Sequence, residues 1–202
     1  SDRTAHVPYD GPPLPSRRRC FWRVRTWDTD DKPSPWSQTA WWEMGLLQRD
    51  DWEGEWIGSS LVGSPRASVP CPYLRHTFSV DKPIASARLY ATALGLYECE
   101  INGVRVGDDV LAPGWTDYTK RVFCQRHDVT AHLVEGDNAI AAILGDGWYC
   151  GHIAQHHRQL YGDRPKLLAQ LEIELENGES VMVSTDPAWR CAPGPILESD
   201  LL

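Results

Sequence analysis

The stretch Tyr97 to Gly107, YECEINGVRVG, decides the fold class. Apolar and charged side chains alternate on either side of Asn102-Gly103, a pair that accepts the positive φ angles of a type I′ turn, so the segment reads as a tight antiparallel hairpin. The same period of two predicts a strand over residues 71–80, with Tyr73, Arg75 and Thr77 on one side and Leu74, His76 and Phe78 on the other. Further strands are predicted at 85–93, 120–126, 139–144, 167–175 and 180–185, the last two joined by the turn sequence ENGE at 176–179. Helical periodicity is nearly absent, with one short candidate at Val129 to Leu133. The prediction is all-β: a jelly-roll-like antiparallel β-sandwich.

Upstream, CFWRVRTW at 20–27 alternates large apolar residues with arginine, DTDDKPSP supplies a turn, and WSQTAWWEM resumes as a strand. The prolines between 12 and 15 break regular structure before it, leaving about three strands, too few to close two packed faces. Residues 1–45 therefore read as a truncated partial domain, and residues 46–202 as the sandwich.

Composition narrows the function classes. The chain has 202 residues, 42% of them hydrophobic, and 20 Lys and Arg against 28 Asp and Glu give a net charge of -8. That balance excludes the basic footprint of a nucleic-acid binder or of a protein drawn to an anionic membrane. No apolar run reaches the length of a spanning helix. Ten Trp and seven Tyr stand against three Phe, so most aromatic area carries a polar handle, as on surfaces that bind polar ligands. The six cysteines are spread thinly and form no Cys-x-x-Cys pair, so no disulfide framework is expected, and Cys99, Cys124 and Cys150 read as small hydrophobes in or beside strands. The opening residues, SDRTAHVPYDGPP, hold neither an apolar nor a basic leader. Low cysteine density leans toward a cytoplasmic location over a secreted one.

Two long connections, GDDVLAPGWTDYTK (107–120) and GDGWYCGHIAQHHRQLYGDRPK (145–166), are dense in Trp, Tyr, Asp and Gly. Loops of this length in a compact domain tend to carry function, and this composition suits stacking of a sugar face on a ring with carboxylates on its hydroxyls. The competing reading is that Trp115 and Trp148 cap the open ends of the sandwich. Cys150, His152, His156 and His157 offer zinc-type ligands, but a structural zinc site takes two paired clusters and one is present, which favours solvent-facing or loop-packing histidines. Asp108, Asp109, Asp117, Asp146 and Asp163 offer the oxygens that calcium takes, without EF-hand spacing. No pair of carboxyls stands out for glycoside hydrolysis, and no Gly-x-Ser-x-Gly, His-Glu-x-x-His or phosphate-binding glycine loop occurs.

The run ALGLYECEINGVRVGDDVLAPGWTDYTKRV, then GDNAIAAILGDGWYCG, LYGDRPKLLAQLEIEL and GPILESDL, closely resembles the N-terminal β-sandwich domain of bacterial α-L-rhamnosidases of glycoside hydrolase family 78. FWRVRTWDTDDKPSPWSQTAWWEMGLL resembles the closing strands of the fibronectin-type-III-like domain that precedes it there, and DWEGEWIG its entry into the sandwich. The resemblance implies an inverting hydrolase of terminal α-L-rhamnose whose general acid and base sit on a later (α/α)6 barrel, which is not in these residues. It implies that this region is non-catalytic and requires no cofactor. It also implies a sandwich lacking its last strand, with an unpaired edge after GPILESDLL. Some related sandwiches bind L-rhamnose with calcium, which makes Asp108, Trp115, Asp117, Tyr118, Asp146, Trp148, Tyr149 and Asp163 the candidate carbohydrate-binding residues. The segment HIAQHHRQ departs from the family pattern. Three readings follow: the non-catalytic part of a rhamnosidase, a calcium-assisted rhamnose-binding module, or a structural sandwich packed on the barrel. A binding module requires Trp115 or Trp148 exposed beside converging carboxylates; a structural one requires the rings buried or on a broad apolar patch.

Overall fold

A computed structural model describes His6 and residues 8–200; the parts of the reading that fall on residues 1–5, 7 and 201–202 lie outside the described residues. The chain divides into two compact units, Ser1–Trp52 and Glu53–Leu202.

In the first unit, β1 (Arg19–Trp22) pairs antiparallel with β2 (Ala40–Glu43), Phe21 opposite Trp41 and Cys20 opposite Trp42. The predicted turn holds: Asp28 Oδ1 accepts from the Asp30 and Lys32 amides at 2.9 Å each, and Trp27 bridges to Pro33. The alternation of Arg with aromatic residues has a direct use. The guanidinium carbons of Arg19, Arg23 and Arg25 lie 4.6 to 4.8 Å from the ring centres of Trp41, Trp36 and Trp27, a cation–π ladder along the hairpin. The described residues of this unit contain two strands, one fewer than the sequence suggests.

The second unit is an antiparallel sandwich. Its strands are β3 (Pro72–Val80), β4 (Ile84–Leu94), β5 (Leu96–Ile101), β6 (Val104–Arg105), β7 (Gln125–Asp128), β8 (Gly136–Gly145), β9 (Lys166–Leu175), β10 (Ser180–Ser184) and β11 (Arg190–Pro193). One sheet runs β10-β9-β4-β7, the other β11-β3-β8-β5-β6. Alternate residues meet in the core: Leu89 and Ala91 from β4, Leu171 and Ile173 from β9, Cys99 and Ile101 from β5, Ile140 and Leu144 from β8. Each such large aliphatic side chain removed from water contributes about 1.5–3 kcal/mol. The predicted alternation of β3 holds, with Tyr73, Arg75 and Thr77 exposed and Leu74 buried.

The hairpin forms as read. Asn102 and Gly103 take φ of 53° and 77°, and Glu100 pairs with Arg105 across the turn. Asn102 then does more than turn: its side chain accepts from the Ala139 amide at 2.9 Å and donates to the His132 carbonyl and Asn138 Oδ1 at 2.9 and 2.8 Å.

Three expectations are corrected in detail. The strand placed at 120–126 begins only at Gln125, because Asp117 and Thr116 tie the preceding residues into a turn through Thr119, Lys120 and Arg121. Val129 to Leu133 holds a 3-10 turn, Thr130–His132. A short strand not foreseen, β11, pairs with β3, and residues 194–200 continue past Cys71 toward Asp146 without forming a strand. All six cysteines are free thiols; Cys99 and Cys150 are buried as expected, whereas Cys124 is exposed.

Candidate functional site

The two long loops face each other through their rings. In the first, Asp117 Oδ1 accepts from the Thr119 amide and hydroxyl at 3.1 and 2.6 Å, and the Thr116 hydroxyl donates to the Arg121 carbonyl at 2.6 Å. This turn presents Trp115 and Tyr118. In the second, a single helical turn, α1 (Gly147–Cys150), follows β8 and presents Trp148 and Tyr149. The rings then pair across the gap: Trp115 stacks on Trp148 with centroids 6.0 Å apart and planes 10° from parallel. Tyr118 meets Tyr149 edge-on at 5.2 Å and Tyr161 at 5.1 Å. Such pairs add about 0.5–1.5 kcal/mol each beyond their area burial. A Cβ at Gly162 would collide with the edge and hydroxyl of the Tyr149 ring, so a side chain there would displace that ring.

Beneath the rings lies a buried ionic cluster. Arg158 donates to Asp146 at 2.6 Å and, through its other terminal nitrogen, to Asp200. Asp200 also accepts from the His152 amide at 2.8 Å and pairs with its ring at 2.7 Å, and the Cys150 thiol donates to Asp146 at 3.2 Å. The Asp146 amide donates to the Ser199 hydroxyl at 3.0 Å, so the segment after β11 is fastened to the loop at two points. Burial pushes the Asp200 carboxyl up, but the His152 amide and ring and the Arg158 guanidinium outweigh it and hold the group below the ordinary carboxylate range. Burial lowers the Arg158 value, yet Asp146 and Asp200 more than offset it and the cation is held more firmly. Burial pushes the Tyr118 phenol up to about 12.

Of the predicted site residues, the structure brings Trp115, Tyr118, Trp148 and Tyr149 into one ring cluster. Trp115 is 52% exposed, so one face of the stack is open. The carboxylates do not converge on it. Asp146 is 4% exposed and spent on Arg158 and Cys150. Asp117 is exposed but committed to its own turn and to Lys120 at 3.0 Å; its hydrogen bonds to Thr119 and Lys120 draw it down to about 2. Asp163 is exposed and forked onto Arg164 at 3.0 and 2.9 Å, while Asp108 is exposed and, among the described residues, makes no hydrogen bond or ion pair. His156 and His157 face solvent, His152 is held by Asp200, and among the described residues no three His, Cys, Asp or Glu side chains are grouped as metal ligands.

Sequence reasoning missed Tyr161, Arg158 and Asp200. Arg158 sits in the very segment that departs from the family pattern, and its partner Asp200 lies 42 residues away, so no local signal joins them.

Comparison with known proteins gives these loops a context. Residues 82–202 match the family described as the alpha-L-rhamnosidase N-terminal domain, and residues 1–48 match the Rha78A-like N-terminal immunoglobulin domain. The chain belongs to the alpha-L-rhamnosidase N-terminal domain family. An alpha-L-rhamnosidase of Alteromonas sp. (strain LOR) is 41% identical over 97% of the chain, which spans 22% of that relative's length. The crystal structure of the Aspergillus terreus enzyme superposes with a TM-score of 0.90 at 40% identity, covering 99% of this chain and 24% of that one. The structure of the Streptomyces avermitilis enzyme complexed with L-rhamnose gives 0.90 at 27% identity, over 100% of this chain and 36% of that one. The chain thus spans about a quarter to a third of the relatives it matches.

Proposed function

We propose that this chain is the non-catalytic N-terminal region of an α-L-rhamnosidase, whose general acid and base stand on an (α/α)6 barrel elsewhere in the protein, and that the Trp115–Trp148 stack contacts L-rhamnose-containing glycosides. The observation that carries the reading is identity of 41% sustained over 97% of the chain with an enzyme of that name, of which the chain spans 22%. No pair of carboxyls in the ring site is arranged as a glycosidase acid and base: Asp146 is paired below the surface and Asp117 is held ionised in its turn. Half-exposure of Trp115 supports a platform for an apolar sugar face. The carboxylates support a positioning role, holding the rings in place, over direct contact with sugar hydroxyls.

Isothermal titration of the chain with L-rhamnose, with calcium and with excess chelator, tests the platform. Heat that Trp115→Ala abolishes is the expected result, and heat lost on chelation would add calcium to the site. Absence of heat with folded protein sinks the platform and leaves a scaffold. Hydrolysis of a rhamnoside by this chain alone would overturn the non-catalytic assignment.

A further inference from the structure

The outer face of the sheet β11-β3-β8-β5-β6 carries a charged trough that none of the ring cluster's residues lines. Cross-strand register places Arg190 opposite Arg75, Arg75 opposite Ala141, and Ala141 opposite Glu100. One row along, Ala192, Tyr73, Ile143 and Glu98 follow the same order. The central strand thus supplies an apolar floor of Ala141 and Ile143, with guanidinium groups on one wall and carboxylates on the other, about 10 Å apart across two strand spacings. The trough encloses about 470 Å³, and beyond Arg75 a second hollow of about 560 Å³ continues it past Thr77 and Ser79. From Tyr73 to Ser79 the strand runs about 20 Å, room for several sugar rings end to end.

The two arginines are the telling pair. Like charges set directly opposite on neighbouring strands repel and cost stability. Among the described residues neither guanidinium makes a hydrogen bond or ion pair with a carboxylate, although the chain carries 28 acids and a charge of -8. Glu98 by contrast has Arg105 at 3.3 Å. A ligand that relieves this repulsion carries an anionic group at the Arg75–Arg190 wall and hydroxyls that donate to Glu98 and Glu100 across the floor.

We propose that this sheet face is a second carbohydrate-binding surface, selective for an acidic oligosaccharide bearing carboxylate or sulfate groups. The choice of a saccharide over other anions rests on the rhamnosidase reading; the demand for negative charge does not. The test is titration of the whole chain with trigalacturonate, with a sulfated trisaccharide, with neutral maltotriose and with sodium sulfate. Binding of one or both acidic trisaccharides is expected, which identifies the anion. That binding falls by about tenfold or more in Arg75→Gln/Arg190→Gln, weakens with salt, survives Trp115→Ala, and exceeds that of maltotriose and sulfate. Both positions are exposed, and a thermal melt of each variant confirms that it folds. Failure of both acidic probes, equal binding of maltotriose or sulfate, or indifference to the double substitution overturns the proposal and points to a face covered by protein. A parallel L-rhamnose titration reads the ring stack alone, so a chain that ignores rhamnose yet takes an acidic trisaccharide loses the platform and keeps this surface.

Discussion

Arg158 donates to Asp146 at 2.6 Å with both side chains almost wholly withdrawn from water, and the same guanidinium reaches Asp200. One cation between two acids leaves a net negative charge inside the loop, which the His152 amide and ring help to satisfy at Asp200 and the Cys150 thiol at Asp146. Removing the cation strands two carboxylates in low dielectric. Arg158→Met should therefore cost about 3–5 kcal/mol, whereas exchanging Asp146, Arg158 and Asp200 together for apolar residues should recover most of it. Urea unfolding of the three chains decides; a small loss in the single variant would show that the cluster is hydrated and weak.

The same cluster sets an acid limit. The folded-state value of Asp200 lies below the unfolded one, so its contribution is fully present above about pH 4 and is lost as pH falls through the folded value. Asp200→Asn should lose about 1–3 kcal/mol at neutral pH, and the difference should shrink as pH falls through the folded value. Denaturant midpoints measured across that range should converge in acid. Parallel curves at all pH values would mean that the residue acts by shape and not by charge.

At the hairpin, two adjacent residues should differ sharply. Gly103 has open space where a Cβ would stand, so Gly103→Ala meets only the backbone cost of φ 77°, about 1 kcal/mol. Asn102→Ala carries the same backbone penalty and loses bonds to Ala139, His132 and Asn138, for about 2–4 kcal/mol. Thermal melts of both variants rank them, and equal losses would reduce Asn102 to a turn former.

How much was legible follows from how local each signal is. Asn102-Gly103 declares its turn within two residues, and the alternation in β3 and β5 declares both the strand and the face it buries. The two loops were legible as functional candidates from composition, and the four rings named from sequence do meet. The acids were harder. Asp and Glu read alike whether a side chain caps its own turn, as Asp117 does, or lies beneath a surface, as Asp146 does. The distinction depends on Arg158 and on a segment around Asp200 that arrives only after three further strands. The Arg75–Arg190 pair was hidden for the same reason, since it exists only once β11 takes its register on β3.

Tyr118 offers a test of the ring site that does not depend on any sugar. Its ring is held by Tyr149 and Tyr161, and its hydroxyl is buried with no hydrogen-bond partner among the described residues. An unsatisfied buried hydroxyl costs about 1–3 kcal/mol, so Tyr118→Phe should be neutral or stabilise the chain by about 1 kcal/mol while keeping both edge-on contacts. Tyr118→Ala, by contrast, removes the ring that ties the two loops together and should destabilise by about 3 kcal/mol or more. A clear loss in the phenylalanine variant would sink this account and mean that the hydroxyl donates to a bound water or ligand in solution. That loss, if it grew larger on adding L-rhamnose, would place the phenol in the sugar site itself and move the platform from the Trp115 face toward the tyrosines.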